Sequence, residues 1–202
     1  GLNIIMAIQY YNLKDFDNCV KSNELALVYA KKSENINLLI YVYSNYGFQL
    51  LDYNISLSEA ALRNALNIIK INKTKLPKYS IAIVELNASR LFMKLNDYKL
   101  SNKLITSAIK KLTQISNINE LNYAKLVLGE LLIEKSKFKS ALALLQDIEK
   151  TSLEHKNKSD LQSCYQNYII LYEKMRKYKN ALEYYKHLQK LNEDIFNEES
   201  NR

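Results

Sequence analysis

The chain has 202 residues, 48% of them hydrophobic, with a formal net charge of +8. It has 3 glycines, 1 proline and no tryptophan. So few residues suited to special backbone angles favour helices joined by short connections over hairpins and long loops, and three scattered glycines exclude a glycine-rich phosphate loop. Asn is abundant. No apolar run approaches the ~20 residues of a membrane span; the longest uncharged one is Leu38 to Tyr43. The chain begins at Gly1 inside a helical pattern, as an internal piece of a longer protein would, so targeting segments are expected to lie outside it.

In chain order, Met6-Ala7 and Tyr10 lead through a polar turn to Phe16, Cys19 and Ala26. Next come Tyr46-Gly47 and Ala65-Leu66, a less regular unit. It fits the others only if one residue is lost near Asp52–Asn54, which makes Ser58 its small position. Ser56 with Glu59 reads as a capping box opening the second helix of that unit. Pro77 suits the first turn of the following helix. Ala88-Ser89 and Phe92 then lead to Tyr98, Ser101, Ile105 and Ala108.

Further on, Leu128-Gly129 and Leu132 lead to Phe138, Ala141, Leu145 and Ile148. Ser159-Asp160 offers a cap for the last unit. There Tyr165, Tyr168 and Tyr172 form one helical stripe, the turn 174–177 follows, and Tyr178, Ala181, Tyr185 and Leu188 form the second. The small residues Cys19, Ser58, Ser101, Ala141 and Ala181 therefore recur about every forty positions. Repetition at such a period is the mark of a stacked array. The tyrosines on these stripes read as core positions, not as a platform for stacking bases.

The pattern resembles the tetratricopeptide repeat (TPR) family: a large residue, Leu-Gly and an aromatic in the first helix, an aromatic after the turn, then Ala and Ala-Leu in the second. The period exceeds the family's 34 residues, which predicts helices extended by about a turn. The first-helix glycine is kept at Gly47 and Gly129 and replaced by Ala7, Ser89 and Ile169. The resemblance implies an all-α, right-handed α-solenoid of about five antiparallel helix pairs. Its repeats lie near 1–34, 35–74, 77–115, 118–156 and 159–195, in a single superhelical domain.

In that family the first helix of each pair lines a concave groove. Carried over, the groove positions are Tyr11, Tyr41, Phe48, Arg90, Lys94, Tyr123, Glu130 and Glu173, and a protein or peptide is the implied ligand. Arg90 and Lys94, four apart, share a face and could meet a carboxylate or phosphate. The carboxylate clamp of co-chaperone repeats is not expected, because Ile4, Ile8, Ile83 and Asn87 hold its places.

The ending, Asn180-Ala181-Leu182-Glu183-Tyr184-Tyr185-Lys186 and on through Leu191 to Arg202, resembles the last repeat of bacterial sensory proteins. There it leads into a connecting helix, here beginning at Ile195, and a GGDEF diguanylate cyclase or histidine kinase output. The resemblance implies a sensory region, on the periplasmic side of a membrane-anchored protein in preference to the cytoplasm. The alternative from another class is the TPR region of a cytoplasmic transcription regulator or peptide-pheromone receptor.

Catalytic chemistry is not expected in this chain. His155 and His187 have no partner at metal-ligand spacing, and the acid pairs Asp15/Asp17, Glu193/Asp194 and Glu198/Glu199 lie in turns or near the end. No cofactor or metal is expected. Cys19 and Cys164 fall within apolar helical patterns and read as buried free thiols. Most of the net positive charge lies in 71–111, where nine Lys and Arg face only Glu85 and Asp97. This stretch reads as a solvated helix face, so nucleic acid is not the expected partner. Membrane contact is not expected either, and a homodimer is a possible state.

Overall fold

The computed structural model describes residues 2–200 of the chain. Ten α-helices follow one another among them: α1 (Leu2–Asn12), α2 (Phe16–Lys32), α3 (Ile36–Gln49), α4 (Ile55–Asn72), α5 (Lys78–Lys94), α6 (Tyr98–Gln114), α7 (Ile118–Glu134), α8 (Phe138–Glu154), α9 (Lys158–Lys174) and α10 (Tyr178–Ser200). A 3₁₀ turn, Lys73–Lys75, separates α4 from α5. Gly1, Asn201 and Arg202 lie outside the described residues, so the connecting helix expected from Ile195 is seen only as the end of α10.

Most connections are three residues long, and one construction explains them. The middle residue adopts positive φ at Lys14, Glu34, Asn96, Ser116, Ser136, Lys156 and Arg176. In the 95–97 turn, Asn96 N–H donates to Met93 O at 3.1 Å and Asp97 N–H to Phe92 O at 2.8 Å. This is a Schellman closure of the preceding helix. The Asp97 carboxylate then accepts from Leu100 N–H at 3.0 Å and opens the next helix. Asn117 and Asn157 open α7 and α9 in the same way, each such cap being worth about 1 kcal/mol.

The abundant Asn thus serves helix starts, and two expected caps are corrected. Asn54, not Ser56, caps α4 by accepting from Leu57 N–H at 3.1 Å, and Glu59 pairs instead with Arg63. Asn157, not Ser159 or Asp160, caps α9. In both cases the turn closes upstream of the expected residue, which leaves that residue inside the helix.

The helices group into two compact units, one ending at Ile115 and the other beginning at Ser116. In the first, α1 pairs with α2, α3 with α4 and α5 with α6, while α3 also packs on α1, α2 and α5. In the second, α7 pairs with α8 and α9 with α10, and α9 also packs on α7 and α8. The small positions sit where paired helices meet: Cys19, Ser58, Ser101, Ala141 and Ala181 are all buried.

Hydrophobic clusters fill the gaps between pairs. Leu51, Leu62, Ala88, Leu91 and Phe92 form one in the first unit; Leu145, Ile148, Cys164, Tyr168 and Leu171 belong to one in the second. Each large side chain buried in this way stabilises by about 1.5–3 kcal/mol. The residue expected to be lost from the α3–α4 turn is lost from the helix instead: α3 ends at Gln49, two residues past Gly47, and the connection 50–54 is longer than the three-residue turns. In α7, five residues separate Gly129 from the helix end at Glu134.

One sequence expectation fails in the last pair. Tyr178 and Tyr185, placed in the core by their spacing, are exposed. Their equivalents Phe138 and Leu145 in α8 pack into the cluster that includes residues of α9, and no further described helix follows α10 to do the same.

Candidate functional site

The first helices of the first unit form a layer, α1 against α3 and α3 against α5. Three expected site residues meet on it, one from each helix. The Tyr11 and Phe48 rings lie 6.3 Å apart, and the Arg90 guanidinium sits 6.0 Å over the Phe48 ring. Two further aromatics extend the row: Phe16 meets Tyr11 edge-on at 6.4 Å, and Tyr53 stacks on Phe16 at 4.6 Å. Tyr53 O–H donates to Asp17 at 3.1 Å, and this bond is the main reason its pKa is raised. Phe16 falls on the packing pattern of the repeat and Tyr53 lies outside it, in the 50–54 connection, where an aromatic just past a helix end is a usable signal.

Lys94 is paired with Asp52. The Arg90–Lys94 face therefore includes a lysine already matched by a carboxylate of the same unit, and it is not a bare anion cradle. Two further lysines of the basic stretch are also engaged within the unit. Lys111 is held by Glu85 at 2.8 Å in a largely buried pair, with Ser107 donating to the same carboxylate, and Lys78 donates to Gln114.

Tyr41 lies seven residues, about two turns, before Phe48 on α3. It lines a cavity of about 410 Å³ between α3 and α5, with Tyr79, Leu38, Ile83 and Val84 among the walls. Ser44 also lines it and accepts a hydrogen bond from the Asn87 side chain at 2.9 Å. No charged residue lines this cavity. Its size falls within the range of small-ligand and side-chain pockets. Tyr79 was not singled out in the sequence, because its pocket is made by two helices whose residues are some forty positions apart.

In the second unit, Tyr123 and Glu130 are half-buried on α7 and Glu173 is exposed on α9. Lys125 and Asp147 pair at 2.6 Å, and Lys174 and Glu134 at 2.8 Å. Tyr165, Tyr168, Tyr172 and Tyr184 of this unit are structural, packed in or against its core cluster. Tyr168 and Tyr184 stack at 4.1 Å, and Tyr168 O–H donates to Glu149 at 3.1 Å. Burial pushes the Tyr184 phenol up to about 12. His187 lies against Tyr165 and Tyr184, and His155 Nδ1 is 2.9 Å from Thr151 O at the end of α8. Among the described residues no group of three His, Cys, Asp or Glu could hold a metal ion, and no helix is long and apolar enough to cross a membrane.

Antiparallel helix pairs with small residues at their contacts define an all-α, TPR-like helical-repeat fold. No protein-family profile matches the chain, and no curated protein matches it. Solved structures do. BtubC (BKLC) from P. vanneervenii matches with a TM-score of 0.74 at 14% identity, over 96% of this chain and 79% of that one. A Rap protein crystallised with Competence and Sporulation Factor matches with a TM-score of 0.66 at 16% identity, over 95% of this chain; the match spans 63% of the Rap chain. At these identities the likeness is one of fold.

Proposed function

We propose that this chain is a protein- or peptide-binding module that receives its partner on the first-helix layer, as the sensory or regulatory region of a bacterial signalling protein with a GGDEF or histidine kinase output. The observation that carries the binding site is the row Tyr11–Phe48–Arg90, supplied by three successive first helices beside an uncharged cavity at Tyr41. Aromatic and Arg side chains dominate binding energy where they are rigidly held. The close packing of first helix on first helix supports reading this layer as the inner face of the stack. A helical-repeat fold of this kind favours binding over catalysis.

The likeness to the Rap protein favours a second context, in which the same face belongs to a cytoplasmic transcription regulator or peptide-pheromone receptor. Both contexts place the ligand on the same residues.

The test is selection from a displayed random-peptide library, followed by calorimetry of the enriched peptides. Phe48→Ala and Tyr41→Ala are expected to weaken binding about tenfold or more each. Lys103→Ala, on the exposed side of α6, leaves it unchanged. Peptides that bind the two aromatic variants as well as the parent would remove the assignment.

A further inference from the structure

The cavity between α3 and α5 carries an unpaired hydrogen-bond donor. Ile40, Ser44 and Val84 are each at most 1% exposed and form its floor. Tyr41 and Tyr79, at 46% and 42%, stand at its mouth with Asn35 and Asn37, which are exposed. Ser44 is therefore the buried polar group that an occupant would meet. A hydroxyl has one proton to donate and can accept besides. Ser44 Oγ accepts from Asn87 Nδ2 at 2.9 Å, and no group among the described residues accepts the Ser44 proton. A buried donor without an acceptor is destabilising, so an occupant that supplies one is favoured over one that does not.

The walls narrow the chemistry further. No charged residue lines the cavity, so a carboxylate or an ammonium group would be buried there without a counter-charge. An indole brings a donor to a donor, and a plain hydrocarbon leaves the Ser44 proton unpaired. Alcohols and primary amides bring an acceptor together with protons that Leu38, Ile40 and Val84 cannot take. What remains is an apolar group with a carbonyl oxygen and no N–H or O–H. Proline alone among the residues brings a backbone carbonyl with no N–H, and aromatic side chains such as Tyr41 and Tyr79 suit its ring.

We propose that the α3–α5 cavity is a site for an apolar carbonyl group, with the Ser44 hydroxyl donating to its oxygen, and that a proline of the bound peptide supplies that group. The peptide as carrier rests on the function proposed above; the carbonyl site does not.

Acetophenone and ethylbenzene are similar in size and differ in the carbonyl, and benzoate adds a charge. Titrated into the whole chain, the first two are expected to shift the Ile40 and Ile83 methyl signals in NMR spectra, and benzoate is not. Ser44→Ala weakens acetophenone roughly three- to tenfold and leaves ethylbenzene as tight or tighter. Ethylbenzene thus reports that the variant keeps its cavity. Ser44→Cys, close in size but a weak donor, falls between parent and Ser44→Ala. In peptides selected on the first-helix layer, replacing the proline by alanine costs more affinity in the parent than in Ser44→Ala. Failure of acetophenone to bind, or an equal change for both probes on Ser44→Ala, overturns the proposal. So do peptides that depend on Phe48 yet bind as well with alanine at every proline, and in that case the reading of the layer stands. If no peptide is selected, that reading falls, and the acetophenone–ethylbenzene pair decides the chemistry of the cavity by itself.

Discussion

Ser58 donates its hydroxyl to the carbonyl oxygen of Gly47 at 2.7 Å, in the buried contact between α3 and α4. The helices approach so closely there that a Cβ on Gly47 would lie 2.5 Å from Leu62 Cγ and 3.0 Å from Ser58 O. At Gly129, the corresponding residue of α7, the nearest atom to such a Cβ is Leu145 Cδ2 at 3.6 Å, an ordinary contact. The two glycines therefore predict opposite outcomes. Gly47→Ala should destabilise by about 1–3 kcal/mol through overpacking. Gly129→Ala should be neutral or stabilise by up to about 1 kcal/mol, because alanine is the better helix former. Urea titration of both variants measures the difference, and equal losses would sink the argument.

The three-residue turns hold positive φ on residues that have a Cβ, with Lys156 at 53° and Arg176 at 58°. That conformation costs a residue with a Cβ about 1–2 kcal/mol, partly offset by the greater chain entropy that glycine loses on folding. Lys156→Gly and Arg176→Gly are expected to raise the thermal midpoint. Gln166→Gly, on the exposed face of α9, should lower it by the ordinary helix penalty of about 1 kcal/mol. A loss at all three sites would refute the strain.

Asp160 is buried in the second unit, where its carboxylate accepts from Asn122 Nδ2 at 3.1 Å. Desolvation raises its pKa above the ordinary 3.8, against the lowering effect of that hydrogen bond. The folded state therefore holds the proton more tightly than the unfolded state. The resulting stability is complete below the unfolded pKa and is lost as pH rises through the folded one. Asp160→Asn keeps an acceptor for Asn122 without the charge. It should be more stable than the parent at neutral pH, with an advantage that fades as pH falls through the raised folded pKa towards 3.8 and changes no further below it. Denaturation midpoints across pH read this directly, and an advantage independent of pH would count against it.

Cys19 and Cys164 are free and buried, and desolvation raises both pKa values, with the Glu149 carboxylate adding to the rise at Cys164. The thiolate is the reactive form. An aromatic disulfide reagent should leave both thiols untouched in the native protein and label both in denaturant, at a rate set by opening of the helix pairs. Rapid labelling before unfolding would contradict this.

Particular residues show how far the chain could be read in advance. The small residues at 19, 58, 101, 141 and 181 were legible because helix contacts recur at a fixed spacing, and each is buried. Caps were less legible. Ser56 and Ser159 have the right chemistry, but Asn54 and Asn157 sit where the preceding turn closes. Tyr178 and Tyr185 match the core pattern yet face water, because burial at those positions depends on a following pair. Of the expected binding residues, Tyr11, Phe48 and Arg90 come together, while Tyr53 and Tyr79 join the same layer from positions the repeat does not mark.

The periodic alternation of small and large side chains by itself determined the helices and their pairing, because both depend on neighbours within a few turns. Only the tertiary structure decided that Gly47 has no room for a methyl group while Gly129 does, that Lys94 meets Asp52, and that Tyr41 and Tyr79 share a cavity. Those outcomes rest on gaps of a few ångströms between residues many positions apart, and spacing along the chain does not encode such distances.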